Sequence, residues 1–184
     1  HGWACNNLGY TLLERDGPVE RAAQLLEAAY AALPNEASVI DSLGWLRYKQ
    51  GMLDDETDGE GNVVRQGALS LLFRASGLVG EDNPVITDHL GDALWAMGDG
   101  QGAVAHWRMA EQQARRQIRL IERSGLGESG ALASLRARLR ALERAARGKQ
   151  LSAERGQPPA VAPIPGREVP ELGPVKPGGE PHDA

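Results

Sequence analysis

The chain is poor in the residues that define several classes of protein. It has one cysteine among 184 residues, Cys5, which excludes an internal disulfide framework and a cysteine metal cluster. No apolar run approaches the ~20 residues that a membrane helix needs, and the first residues lack the layout of a signal peptide. The composition, 41% hydrophobic and 24% charged, is otherwise that of a soluble globular protein.

The net charge of −5 conceals an uneven distribution of charged side chains. Residues 1–107 carry 6 basic and 16 acidic side chains, whereas residues 108–155 carry 12 basic and 5 acidic ones. This asymmetry predicts either a charged partner or an attraction between the two parts of the chain. In the second case, the basic C-terminal helices would lie near the acidic body and cover part of its binding surface.

A Leu-Gly pair recurs inside helical patterns at Leu8-Gly9, Leu43-Gly44 and Leu90-Gly91. An alanine-rich second helix follows each pair. Glycine inside a helix costs about 0.5–1 kcal/mol relative to alanine. Because this cost recurs at the same phase, we expect a steric reason for it: a second helix crosses so closely that no side chain fits between the two backbones.

The pattern predicts three helix pairs over residues 1–124, interrupted by an insertion at residues 52–66. Two turn-forming dipeptides in the insertion, Asp58-Gly59 and Gly61-Asn62, predict a two-stranded hairpin. A last helix is predicted over about residues 130–147, within a capping segment at 125–150. It should pack against the long helix before it as a hairpin. The tail, residues 151–184, is rich in proline and glycine and is predicted to be disordered.

The helix pairs resemble the tetratricopeptide repeat (TPR), a helix-turn-helix unit of about 34 residues. The positions that carry the resemblance are Leu8, Gly9 and Ala22, then Leu43, Gly44 and Ala68, then Leu90, Gly91, Ala103 and Trp107. The resemblance implies an all-α solenoid of three repeats, closed by a C-terminal helical hairpin. Since the chain begins with His1 inside a repeat, we expect it to be the C-terminal portion of a longer bacterial TPR protein.

In the TPR family, the first helix of each unit lines a concave binding surface. The resemblance therefore implies the following partner-binding residues: Asn6, Tyr10, Asp41, Trp45, Tyr48, Asp88, His89, Asp92 and Trp95. Aromatic side chains among polar ones are typical of recognition surfaces. For some of these aromatics, packing between units is the alternative role.

The residues offer little support for a catalytic or metal site. Asp54, Glu56 and Asp58 match the opening of a calcium loop, but its twelfth position is Arg65 instead of the bidentate glutamate. The four histidines lack metal-binding spacing. His89 has aspartates nearby, but no nucleophile or phosphate loop accompanies it. We therefore expect no catalytic residues, no metal and no cofactor.

The sequence thus predicts a non-catalytic scaffold that binds a partner peptide or protein, either in the cytoplasm or in the envelope of a bacterium. Two alternatives stay open. The chain could be an accessory or regulatory part of a larger enzyme or envelope complex. It could also bind polyanions, including nucleic acid, through the arginines of its C-terminal helices.

Overall fold

The computed structural model describes residues 1–15, 17–79, 83–124, 130–164, 168 and 170–176. Within these ranges the chain forms seven helices and one small sheet, which confirms the all-α class. The elements are α1 (Gly2–Glu14), α2 (Val19–Ala32), α3 (Ala37–Lys49), β1 (Glu56–Thr57), β2 (Val63–Arg65), α4 (Ala68–Val79), α5 (Pro84–Ala96), α6 (Gly100–Arg123) and α7 (Gly130–Glu154). In the described part of the chain, no helix is both long and apolar enough to cross a membrane.

The chain divides into two compact units. One comprises residues 1–80 with 163–168, and the other comprises residues 81–162 with 169–184. The predicted boundaries after residues 124 and 150 both fall within the second unit.

The first unit contains two helix pairs, α1 on α2 and α3 on α4, and α2 also contacts α3. Leu26, Ile40, Leu46 and Leu72 are fully buried between these helices. Arg74 on α4 joins the two pairs, because its guanidinium donates to the Tyr30 hydroxyl and to the carbonyl oxygen of Pro34 at the end of α2.

In all three helix pairs, the glycine of the Leu-Gly dipeptide lies against the second helix. A Cβ atom added to Gly9 would lie 2.7 Å from Cγ of Leu26, and one added to Gly44 would lie 3.0 Å from Cγ of Leu72. At Gly91 the added atom would lie 2.6 Å from the indole of Trp107. Real Cβ atoms rarely approach so closely, so the predicted lack of room is present at each glycine. The nearest atoms, however, belong to side chains of the second helix and not to its backbone.

The other repeat positions are mostly buried. Ala22, Ala68 and Ala103 are fully buried, and Leu43 and Leu90 are at most 5% exposed. Leu8 differs, because half of its surface is exposed. At Gly44 the nearest atoms belong to Leu72 and Leu71 and not to the repeat alanine Ala68.

The insertion in the first unit forms the predicted hairpin, with β1 antiparallel to β2. Its turn is held by Asp58, whose Oδ1 accepts hydrogen bonds from the backbone N–H groups of Glu60 and Asn62. Hydrogen bonds from the Asn62 side-chain amide, together with these backbone bonds, hold the pKa of Asp58 below its ordinary value. Gly61 adopts φ +86°, a conformation that favours glycine. The Asp58 carboxylate therefore stabilises the turn of the hairpin.

The second unit is built from α5, α6 and α7, with α6 packed against both of the others. The side chain of Asn83 caps α5 by accepting hydrogen bonds from the N–H groups of Val85 and Ile86. The side chain of Asp99 caps α6 by accepting a hydrogen bond from the N–H group of Gly102. The α6–α7 hairpin encloses a cluster of apolar side chains, namely Ala114, Ile118 and Leu139 with Ile121 and Leu142.

Helix α7 extends to Glu154, seven residues beyond the predicted end at Arg147. The additional turns have buried partners, since Lys149, Gln150 and Ala153 are almost inaccessible to solvent. The chain that follows returns to this helix: the Val175 N–H donates to the carbonyl oxygen of Ala153. Disorder of the tail stays a prediction.

Candidate functional site

Helix α5 carries an unusual number of buried polar side chains. Asp88, His89 and Asp92 are each less than 8% exposed, and Trp95 is 1% exposed. Asp88, Asp92 and Trp95 follow the spacing i, i+4 and i+7, which places them on one face of the helix. A buried carboxylate is costly unless it is paired or hydrogen-bonded, so its partners define the chemistry of this face.

The partner of both carboxylates is Lys149 of α7. Its ammonium nitrogen lies 2.8 Å from Oδ2 of Asp88 and 2.6 Å from Oδ1 of Asp92. The Lys149 side chain is only 7% exposed. Lys149 of the basic C-terminal segment therefore lies against two acidic side chains of α5.

Trp107 on α6 forms a third side of this site. Its Nε1–H donates to Oδ1 of Asp92 at 2.9 Å, and Lys149 Nζ lies 5.8 Å from the centre of its ring. This distance is within the range of a cation–π interaction. The same indole lies against Gly91, so one side chain serves both the repeat packing and the acidic site. Asp88, Asp92, Trp107 and the bound Lys149 are called the ammonium site below.

Two carboxylates share one buried ammonium group, and the pKa values of Asp92 and Lys149 are both raised. Burial raises the pKa of Asp92 to about 6, against the lowering effect of Lys149 and with a further raising effect from Asp88. For Lys149, burial opposes the charged form, but the two carboxylates together outweigh it and raise the pKa of the ammonium group. Lys149 therefore stays charged, while Asp92 takes up a proton near pH 6.

The raised pKa of Asp92 predicts how stability depends on pH. The folded state binds a proton below about pH 6, whereas an unfolded aspartate binds one only near 3.8. This contribution to stability is therefore complete below pH 3.8 and lost as the pH rises through 6. Relative to Asp92→Asn, the wild-type protein should gain about 1 kcal/mol in free energy of unfolding between pH 7 and pH 5. Urea unfolding of both proteins at these two pH values measures the gain; a constant difference would contradict it.

Two buried polar atoms on the same face of α5 are not satisfied by the described residues. They are Oδ1 of Asp88, an acceptor, and Nε1 of Trp95, a donor. Trp95 also lines a cavity of about 360 Å³. The other lining residues all follow α7 in the chain, and are Gly156, Pro158, Pro170, Glu171, Leu172 and Gly173.

The predicted site residues of α3 are also buried. Trp45 donates its indole N–H to the carboxylate of Glu14 at 2.9 Å and stacks on Tyr48, with ring centres 4.7 Å apart. Tyr48 is fully buried, and Asp41 is 4% exposed. The aromatic pair thus contributes to packing between the helix pairs α1–α2 and α3–α4 of the first compact unit. Packing between helix pairs is the alternative role stated for these residues.

On α1, the predicted residues are more accessible. Asn6 is buried, but Tyr10 is only partly buried. Trp3, on the same helical face as Tyr10, is 50% exposed. Of the predicted partner-binding residues, Tyr10 is therefore the one most open to a partner in this conformation, and their binding role stays a prediction.

Lys149 is the member of the ammonium site that was not predicted from the sequence. A signal for it exists, since Lys149 is the only lysine among the basic residues of segment 108–155. A compact ammonium group fits between two carboxylates on one helix. The neighbouring arginines pair with carboxylates of α6 and α7: Arg115 with Glu111 and Glu143, and Arg140 with Glu122.

The described residues show no group of three or more histidine, cysteine or acidic side chains able to hold a metal ion. His89 is buried on α5 and is not free of partners. The arrangement as a whole can bind an ammonium group and present helix surfaces.

Comparison with known proteins gives one partial match. A stretch of 52 residues is 40% identical to a TPR repeat-containing protein of Pseudomonas aeruginosa. The match covers 28% of this chain and 9% of the length of the Pseudomonas protein. No protein-family profile matches the chain, and no solved structure matches it. Over the matched stretch, the chain is similar to a bacterial protein with tetratricopeptide repeats.

Proposed function

We propose that the chain is a non-catalytic protein-binding module whose three helix pairs are TPR-type units. The observation that carries this proposal is the repeated contact of a helix glycine with Leu26, Leu72 or Trp107 of the following helix. Repeating units of this kind bury their apolar sides by stacking and present extended surfaces to partners. The similarity to a TPR repeat-containing bacterial protein supports the same function.

The polyanion alternative receives less support. Arg108, Arg115 and Arg140 form salt bridges with acidic side chains of the same helical hairpin. Arginines that already pair with carboxylates are less available to phosphates. An accessory role in a larger enzyme or envelope complex is compatible with protein binding, because such a role also acts through a partner.

The accessible side chains of α1 provide the test. Partners would first be captured on the immobilised chain from a bacterial lysate and identified, and their Kd would then be measured. We expect the double variant Trp3→Ser, Tyr10→Ser to weaken binding by about 2 kcal/mol or more, roughly thirtyfold, because exposed tryptophan and tyrosine side chains are typical binding hot spots.

The matched control is Leu120→Ser, Leu135→Ser, which removes exposed apolar side chains of α6 and α7. It should leave Kd unchanged. Equal binding by the wild type and the α1 variant would rule out α1 as the binding surface. The absence of any retained protein would count against a protein-binding function.

A further inference from the structure

The ammonium site has the composition of a recognition site for a lysine side chain. Two carboxylate oxygens lie within 2.8 Å of Lys149 Nζ, and the Trp107 ring lies beside it. Asp88, Asp92 and Trp107 come from α5 and α6, whereas the lysine comes from the end of α7. The residues that receive the ammonium group, Asp88, Asp92 and Trp107, are called the receptor face. They belong to different segments of the second unit from Lys149, which occupies this face.

The receptor face retains binding capacity that Lys149 does not use. Oδ1 of Asp88 and Nε1 of Trp95 are buried without hydrogen bonds in the described part of the chain, and a buried polar group without a partner is destabilising. A peptide backbone offers the matching N–H donor and carbonyl acceptor. The cavity beside Trp95, about 360 Å³, lies under the segment that follows α7 and provides space for such a chain.

The charge of the ammonium site favours a basic ligand. Two aspartates and one lysine leave a formal charge of −1 when all three groups are ionised. The covering segment also contains a weak point: Gly148, an exposed glycine inside α7, lowers the stability of the last helical turns by about 0.5–1 kcal/mol relative to alanine. Detachment of these turns would remove Lys149 from the carboxylates and expose Trp95.

We propose that the α5 face formed by Asp88, Asp92 and Trp95, with Trp107 of α6, binds a lysine-bearing peptide segment of a partner protein. Lys149 and the chain that follows occupy this face as an intramolecular competitor. This inference rests on the proposed protein-binding function and assigns the chemical class of the partner: a segment with a lysine and a free backbone on either side of it.

The experiment uses a fluorescent peptide with the sequence of residues 145–156, AARGKQLSAERG, and a matched peptide with methionine in place of the lysine. Both are titrated against the full chain, the Lys149→Met variant and the Lys149→Met, Asp92→Asn double variant. Removal of the competitor should tighten binding of the lysine peptide about tenfold or more relative to the wild type. The methionine peptide should not bind. The Lys149→Met, Asp92→Asn double variant should bind the lysine peptide without the tenfold increase in affinity.

Equal affinity of the folded Lys149→Met variant for the two peptides would overturn the proposal. If this variant does not fold, hydrogen exchange of the wild-type chain decides instead. An excess of the lysine peptide should accelerate exchange of the backbone amides of residues 147–154, and the methionine peptide should not. Equal exchange with both peptides would overturn the proposal. Since Trp3 and Tyr10 lie outside the ammonium site, partner binding that depends on them would persist if only this inference fails.

Discussion

Replacing Lys149 by methionine is expected to lower the free energy of unfolding by about 3–5 kcal/mol at pH 7, because it leaves two buried carboxylates without their cation. Asp88 and Asp92 are 7% and 2% exposed, so water cannot replace the ammonium group without an opening of the structure. The methionine side chain retains most of the apolar stem of the lysine. The loss therefore reports mainly on the uncompensated charge.

Chemical denaturation monitored by circular dichroism measures this loss. Arg147→Met is the matched control, because Arg147 lies two residues earlier on α7 and is exposed. It should change the free energy of unfolding by less than about 0.5 kcal/mol. Adding Asp92→Asn to Lys149→Met should recover part of the loss, since one of the two stranded charges is then gone. A Lys149→Met variant as stable as the Arg147→Met variant would contradict the ammonium site.

The substitution Gly91→Leu is expected to destabilise the second unit by about 3 kcal/mol or more. A Cβ atom at this position would lie 2.6 Å from the indole of Trp107, which is fully buried. Overpacking of this kind costs about 1–3 kcal/mol. Displacement of the indole would also remove its hydrogen bond to Asp92, with a further cost of about 1–3 kcal/mol for a buried group left unsatisfied.

Gly148→Leu provides the control for Gly91→Leu. Both glycines lie inside helices of the second unit, but a Cβ atom at Gly148 would have none of the described atoms within 4 Å. Leucine at this position should stabilise the helix by about 0.5–1 kcal/mol, as expected from helix propensity. Thermal unfolding of the two variants separates backbone crowding from a general effect of the side chain. Equal melting temperatures would contradict the crowding at Gly91.

The features that could be predicted from the sequence depend on short-range pattern. Gly9, Gly44 and Gly91 stand at the same phase of three helix pairs, and a glycine inside a helix is informative because it carries a cost. The hairpin of the insertion was likewise predictable, since Asp58 and Gly61 determine the turn within five residues of chain. In the hairpin the physical cause lies next to the residue that reveals it. The glycines reveal their packing through a local helix cost, although Leu26, Leu72 and Trp107 lie further along the chain.

The features that could not be predicted depend on distant partners. The family resemblance placed Asp88 and Asp92 on the first helix of a unit, but their partner Lys149 lies 57 residues or more further along the chain. The same contact explains the end of α7. Gly148 reads as a helix stop in the local sequence, yet the helix continues because Lys149 and Gln150 find buried partners beyond it.

The second helix of each pair leaves no room for a side chain at three equivalent glycines. The decisive comparison is the free energy of unfolding of alanine variants at Gly9, Gly44 and Gly91 and at the open helix glycines Gly77 and Gly148. We expect alanine to destabilise at the first three positions, most strongly at Gly91, and to stabilise by about 0.5–1 kcal/mol at the other two. Stabilisation at all five positions would contradict it.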